Sequence, residues 1–141
     1  MVELLGSGEI RRLAEELALR PTKKLGQNFV IDPNTIRKIV AAAGLSPKDK
    51  VVEIGPGLGS LTLGLLEKVN QLAVVEFDSR LADRLKQTLD QRASGHKCHI
   101  IAEDAMNVTE LPFEPDALVA NLPYNISVPV LLHFMETFPS L

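Results

Sequence analysis

The sequence predicts an α/β fold built on a doubly wound parallel sheet, and three observations point to it. Apolar runs without polar alternation, typical of strands buried on both faces, occur at 51–54, 72–75, 98–102 and 117–120. Segments with helical spacing of apolar residues separate these runs, as crossover helices would. A glycine-rich turn follows the first run, where ligands bind in such sheets.

Residues 1–50 are predicted to form a helical lead-in to the sheet. Ser7 can cap a first helix, whose apolar residues recur at helical spacing until Pro21 ends it. Asp32 followed by Pro33 predicts the start of a second helix. The stretch between the two helices has no clean period and mixes amides with apolar residues, as a binding loop would.

Further helices complete the predicted order. One starts after Gly59, and another runs from about Asp78, its N-cap, to Arg92. A last helix is expected after Ser127, and it ends by Pro139. The sheet therefore stops after its fourth strand and one helix.

The composition is that of a folded globular chain. With 141 residues, 45% of them hydrophobic and 23% charged, it has the length of one domain. No apolar run approaches the roughly 20 residues of a membrane span, and no secretory leader is visible, so we expect no membrane and a cytoplasmic location. Cys98 is interpreted as a core residue. No histidine has metal-ligand spacing around it, so no metal is predicted.

Charge is unevenly distributed along the chain. The formal net charge is −3, yet residues 1–50 hold nine basic side chains against six acidic ones. Arg20, Lys23 and Lys24 lie next to the predicted binding loop and can meet phosphates. A solvated basic turn explains this cluster equally well, so charge alone leaves nucleic-acid binding open.

The glycine-rich turn is the first motif with chemical content. Gly55 and Gly57 let a ligand approach the backbone, and Gly59 permits close packing where the helix begins. A dinucleotide fingerprint requires glycine at its sixth position, which is Ser60 here. The spacing G-x-G-x-G behind the acidic Glu53 resembles the first motif of class I methyltransferases. This resemblance favours S-adenosylmethionine over a dinucleotide without excluding the latter.

Two acids at the ends of later strands add to the predicted site. Glu76 follows the second strand, where a carboxylate can accept both ribose hydroxyls of an adenosine-type ligand. Asp104 follows the third and can accept the exocyclic amine of adenine, while the backbone amide of Ala105 or Met106 can reach the ring. Glu76 supports NAD and S-adenosylmethionine equally, and Asp104 alone is a weak signal.

The segment 121–127 indicates the reaction. The amine of adenine is a poor nucleophile, and acceptors on its N–H groups would align it for methyl transfer. Asn121 can supply its side-chain oxygen and Leu122 its carbonyl, exposed by the turn that Pro123 fixes. Tyr124 offers a face on which an extruded base can stack. Alone, the segment would also fit an ordinary turn with an aromatic plug.

Together these motifs closely resemble the ribosomal RNA adenine dimethylase family over about residues 9–141. The order and spacing of five features carry the resemblance: the segments 25–29, 53–59 and 121–127, the acid Glu76 and the pair Asp104-Ala105. The resemblance implies a Rossmann-like, class I S-adenosylmethionine-dependent methyltransferase with strand order 3-2-1-4. The family includes enzymes that modify the small ribosomal subunit, whose loss gives kasugamycin resistance, and macrolide-resistance enzymes that modify the large subunit. The form of segment 121–127 is more similar to that of the small-subunit enzymes. This similarity implies the small ribosomal subunit as partner.

The resemblance also implies roles for individual residues. Cofactor-binding positions carried over from the family are Gln27, Asn28, Val30, Gly55, Gly57, Glu76, Asp104, Ala105 and Asn121. Those carried over for the target adenine are Asn121, Leu122, Pro123 and Tyr124. Phe77, Met106 and Val30 depart from the residues usual in the family, which affects only fine cofactor geometry.

The family's sheet continues beyond four strands into a helical RNA-binding domain. We therefore assign 1–50 to a lead-in facing cofactor and RNA, and 51–141 to the first part of the methyltransferase domain. An unpaired fourth strand would favour self-association. Alternatives are a large-subunit methyltransferase, a non-catalytic RNA-binding or transcription-assisting relative, a DNA adenine or protein glutamine methyltransferase, and a dinucleotide-dependent oxidoreductase.

Overall fold

The computed structural model describes residues 2–16, 32–122 and 124–141, and for Tyr124 the backbone alone. Its helices are α1 (Ser7–Glu16), α2 (Pro33–Ala42), α3 (Ser60–Lys68), α4 (Ser79–Arg92) and α5 (Tyr124–Thr137), with a 3-10 turn at Ala105–Asn107. Its strands are β1 (Lys50–Ile54), β2 (Gln71–Val75), β3 (Cys98–Ile101) and β4 (Ala117–Ala120). The predicted residues Gln27, Asn28, Val30 and Pro123, the segment 25–29 and the basic cluster lie outside the described residues.

The four strands form one parallel sheet in the order β3-β2-β1-β4, which confirms the predicted class and strand order. Their register places the strand ends side by side. Ile54 of β1 pairs with Val75 of β2 and with Ala120 of β4, and Val75 pairs with Ile101 of β3. The residues that follow β1, β2 and β4 therefore emerge at one edge of the sheet.

Apolar side chains cover both faces of the sheet. One core cluster packs Val51, Leu72 and Val74 against the first four helices. The other packs Val52, Ile54 and Val75 against Val130 and Phe134 of α5 and against Phe138, which directly follows this helix. Strands buried in this way need apolar residues at successive positions, which is the pattern that predicted them.

Two ion pairs fasten α1 to α4. Arg92 binds the carboxylate of Glu9, and Arg84 lies 2.5 Å from Glu16. The expected cap at Ser7 is wrong, because the helix already includes Ser7. The carbonyl of Gly6 accepts the first helical hydrogen bond, from the N–H of Ile10, and the N–H of Gly6 donates to the side-chain carboxylate of Glu9. The Asp32 cap is confirmed, since its carboxylate accepts the Thr35 N–H at 2.9 Å.

Helix α5 begins at Tyr124, four residues before the predicted start after Ser127. One face of α5 is buried on the sheet. A second apolar stripe with helical spacing is exposed, formed by Val128, Leu131, Leu132 and Met135. None of the helices in the described ranges is both long and apolar enough to cross a membrane.

Candidate active site at the carboxyl edge of the sheet

A cleft of about 430 Å³ opens where β1, β2 and β4 end. The common strand register explains its position, because the residues after each strand meet there. Five of the predicted site residues line it: Gly55, Glu76, Asp104, Ala105 and Leu122. Its other lining residues are Ile54, Val75, Phe77, Glu103, Met106, Ile126 and Val130.

The glycine turn between β1 and α3 needs its glycines. Gly55, Gly57 and Gly59 have φ angles of 70°, 58° and 98°, a region that other residues rarely adopt. The Gly55 N–H donates to the Val75 carbonyl at 2.9 Å, which joins the turn to β2. Gly59 also approaches α4, since a Cβ there would lie 2.6 Å from Leu85 Cδ1.

Glu76 joins three parts of the site. Its Oε1 accepts the N–H of Gly57 at 3.1 Å, and its Oε2 accepts the N–H of Asp78 at 2.9 Å. Burial raises the pKa of Glu76 above its usual value, and these two N–H groups oppose that shift. Each oxygen keeps a second lone pair, so the carboxylate can still accept hydroxyl groups from the cleft.

Asp104 is an exposed residue of the cleft lining. Its Oδ1 accepts the Met106 N–H at 3.0 Å and so caps the short 3-10 turn. The amide of Met106 is therefore already engaged, which leaves the Ala105 amide as the alternative for an adenine ring nitrogen. The second carboxylate oxygen of Asp104, Oδ2, has two lone pairs of its own, so it can accept a hydrogen bond from a ligand.

Two apolar side chains at the rim were not predicted as site residues. Phe77 is 75% exposed, and Met106 is 43% exposed, although both line the cleft. Large exposed apolar groups around a polar site are typical of ligand contact. The available signal was the aromatic residue directly after Glu76, which sequence reasoning treated only as a departure from the family.

The residues after β4 lead into the cleft. Asn121 and Leu122 are half-buried, and Leu122 lines the cleft directly. Helix α5 then starts at Tyr124 and contributes Ile126 and Val130 to the lining. The roles proposed for Asn121, Leu122 and Tyr124 at the target base stay predictions.

A buried carboxyl group lies behind the glycine turn. Glu53 is 2% exposed, and its Oε1 accepts a hydrogen bond of 2.5 Å from the Thr62 hydroxyl. Burial raises the pKa of Glu53 to about 8, with a further rise from the negative charge of Glu76. This shift favours the protonated form of Glu53 at neutral pH, which sequence spacing had not indicated.

A second cavity, of about 400 Å³, lies beside β3 and is lined in part by Lys86, His96 and Cys98. Burial raises the pKa of the Cys98 thiol to about 12, so the thiol is not an activated nucleophile. Across the described ranges, no group of three or more His, Cys, Asp or Glu side chains is arranged to hold a metal.

Comparison with known proteins gives a consistent result. The family model described as ribosomal RNA adenine dimethylase matches residues 19–140. "Ribosomal RNA small subunit methyltransferase A" of Paenarthrobacter aurescens is 57% identical over 140 residues, which are 98% of this chain and 48% of the relative. The Corynebacterium glutamicum protein of the same name is 59% identical over 143 residues, or 99% and 49%. The chain thus spans about half the length of the curated relatives it matches.

Solved structures agree with the fold. The 23S rRNA methyltransferase ErmE has a TM-score of 0.65 and 32% identity, over 77% of this chain and 43% of that one. A dimethyladenosine transferase from Plasmodium falciparum has a TM-score of 0.64 and 30% identity, over 77% and 38%.

Proposed function

The chain belongs to the ribosomal RNA adenine dimethylase family, and on this premise we propose that it forms the cofactor-binding half of a methyltransferase. The reaction is transfer of methyl groups from S-adenosylmethionine to N6 of adenosine in small-subunit ribosomal RNA. The observation that carries the proposal is the single cleft at which Gly55, Glu76, Asp104 and Leu122 converge. Parallel sheets bind ligands at this edge.

The residues of the cleft fit S-adenosylmethionine. The free lone pairs of Glu76 suit ribose hydroxyls, and the glycine turn leaves room for the methionine end. Phe77 and Met106 provide apolar walls for the flat adenine base of the cofactor. The carboxylate of Asp104 can accept a hydrogen bond from the amine of that base. When bound, the cofactor supplies an electrophilic methyl group. The proposed contacts from Gln27, Asn28 and Val30 rest on the family resemblance alone.

The target adenine is proposed to enter beside the end of β4. The side-chain oxygen of Asn121 and the carbonyl of Leu122 would accept the two N–H groups of its amine, and Tyr124 would stack on the ring. Pro123 would fix the turn that exposes the Leu122 carbonyl. A positive sulfonium group makes the displacement favourable, so no general base is needed before transfer.

The small subunit is favoured as substrate by the names of the relatives that are 57% and 59% identical. Large-subunit ribosomal RNA is the second candidate substrate, because ErmE, which is 32% identical to this chain, is a 23S rRNA methyltransferase. A non-catalytic RNA-binding protein would retain the same cleft. A methyl-transfer assay on a protein of full family length distinguishes the two functions, because only the enzyme would transfer methyl groups. The cytoplasm is the proposed location.

The division of the chain at residue 50 belongs to the same proposal: a lead-in that faces cofactor and RNA, and then the methyltransferase sheet. Self-association is proposed as a property of this half by itself. Strand β4 pairs with β1 alone among the described strands, which leaves one edge with open backbone groups. The exposed stripe of α5 contains Leu132 and Met135, which are 56% and 61% exposed. A second copy would cover both features.

Calorimetry with S-adenosylhomocysteine and with NAD tests the cofactor proposal. The chain should bind the former and not the latter. Glu76→Ala removes a charge-assisted hydrogen bond worth about 1.5 to 3 kcal/mol, so affinity should fall roughly ten- to a hundredfold. Glu110→Ala, at an exposed acid outside the cleft, is the matched control. Tight NAD binding, or equal affinity in both variants, would contradict the proposal.

A further inference from the structure

A hydrogen-bonded pair of buried side chains spans the glycine turn from behind. Glu53 lies two residues before Gly55, and Thr62 is the third residue of α3. Their oxygens are 2.5 Å apart, and both residues are almost fully buried. Neither lines the cleft, so neither has a role in the cofactor contacts described above.

The turn has few other ties on this side. Helix α3 begins after Gly59, which offers no side-chain cap. The N–H groups of Gly55 and Gly57 attach the turn to β2, through the Val75 carbonyl and Glu76. Within the described ranges, the Glu53–Thr62 bond is the side-chain hydrogen bond that links the end of β1 to α3.

We infer that Glu53 and Thr62 are positioning residues, which hold the glycine turn in the shape that binds the methionine end of the cofactor. This inference rests on the proposed function. Filling space would not need a polar pair, because two apolar side chains of similar shape can replace buried hydrogen-bonded partners at little cost. What the polar pair adds is a fixed distance between β1 and α3.

Burial favours a neutral form of the pair, which suits it to this task. Burial raises the pKa of Glu53 and so disfavours a second negative charge behind Glu76 and the cleft. The cost of burying the carboxyl group is reduced by the Thr62 hydroxyl, which leaves no buried polar side-chain atom without a partner among the described residues.

Two substitutions of Thr62 in this chain separate positioning from stability. Thr62→Val keeps the methyl group and loses the hydroxyl, whereas Thr62→Ser keeps the hydroxyl and loses the methyl. Affinity for S-adenosylhomocysteine, measured by calorimetry, should fall about five- to tenfold in Thr62→Val and stay within about twofold in Thr62→Ser. The melting temperature should fall in Thr62→Ser as well, because a buried methyl is removed.

Thr88→Val is the matched control, since Thr88 is a buried threonine of α4 outside the turn. Its affinity should equal that of the unchanged chain. The inference is overturned if Thr62→Val binds within twofold of the unchanged chain, or if affinity simply follows melting temperature across the three variants.

Amide hydrogen exchange provides an arm that does not depend on the cofactor. The N–H groups of Gly57, Gly59 and Leu63 are hydrogen-bonded in and beside the turn. They should exchange about tenfold faster in Thr62→Val than in Thr62→Ser. Absence of binding by the unchanged chain would refute the proposed function, and the exchange rates would still decide the inference. Equal protection in the two variants overturns it.

Discussion

The side chain of Leu122 lies directly over the backbone of Gly55. A Cβ built on Gly55 would be 2.8 Å from Leu122 Cδ2, closer than carbon atoms normally approach. The turn that follows β1 and the segment that follows β4 therefore touch at Gly55, where no side chain intervenes. Cofactor and target base are proposed to be held by these two segments, so their relative position depends on this contact.

Gly55→Ala should disturb both segments. Its φ of 70° alone costs a non-glycine residue about 1 to 2 kcal/mol, and the displaced Leu122 adds to this cost. Gly44→Ala is the matched control, because Gly44 has a φ of 64° and nothing within 4 Å of the added Cβ. Urea unfolding and S-adenosylhomocysteine titration should show a larger stability loss for Gly55→Ala, and lost affinity in that variant alone. Equal effects would mean that the Leu122 contact is unimportant.

Glu53→Gln should remove a pH dependence of stability. The pKa of Glu53 is raised from 4.5 to about 8 in the fold, so the folded chain binds more protons than the unfolded chain between these values. Its contribution is fully present below pH 4.5 and is lost as pH rises through 8, by up to about 1.4 kcal/mol per unit. Glutamine keeps an acceptor for Thr62 without a titrating proton.

Urea unfolding of Glu53→Gln and the unchanged chain at pH 5, 6, 7 and 8 measures this contribution. The glutamine variant should gain relative stability at each step upward. Cys98, whose pKa is raised to about 12, does not titrate in this range, and groups remote from Glu53 are common to both proteins and cancel in the difference. The charge of Glu76 raises the pKa of Glu53, so its effect on Glu53 is part of the measured contribution. Parallel pH profiles would show that Glu53 is ionised in the fold.

Asn121→Ala is expected to slow methyl transfer in an enzyme of full family length. The variant loses one acceptor that aligns the adenine amine, which we expect to reduce the single-turnover rate about a hundredfold on small-subunit RNA. Cofactor affinity should change much less. Asn70→Ala, at an exposed position between α3 and β2 and outside the cleft, controls for loss of an amide side chain. A rate near that of the unchanged enzyme would remove Asn121 from the mechanism.

The exposed stripe of α5 predicts self-association of this chain. Replacing Leu132 and Met135 by lysine places charge where a second copy would pack, so sedimentation should shift from dimer to monomer. Asn125→Lys adds charge at an exposed polar position of the same helix and should leave the dimer intact. A monomeric unchanged chain at millimolar concentration would contradict this prediction.

The parts of the fold that depend on local chemistry could be predicted from the sequence. Continuous apolar runs predicted the strands, and the Asp32 and Asp78 caps follow from side chains that reach their own helix. The sequence predicts α5 only after Ser127, whereas the helix begins at Tyr124 and accommodates Pro129 in its interior.

Contacts between distant residues could not be predicted in the same way. Glu53 and Thr62 are adjacent because α3 packs against β1, and spacing along the chain does not specify that partnership. Glu76 was predicted as a ribose acceptor, but its two backbone partners depend on the conformation of the turn and on α4. The engaged amide of Met106 similarly follows from the 3-10 turn.

The level ends of β1, β2 and β4 make residue number more important than residue identity in the strands. Exchange of one buried aliphatic residue for another changes packing by a tolerable amount. Deletion of a single strand residue moves the following side chain by about 3.3 Å and turns it to the opposite face. Glu76 would then point away from the cleft, although every proposed cofactor-binding residue would still be present in the sequence. Strand composition can therefore drift between homologues, whereas strand length cannot.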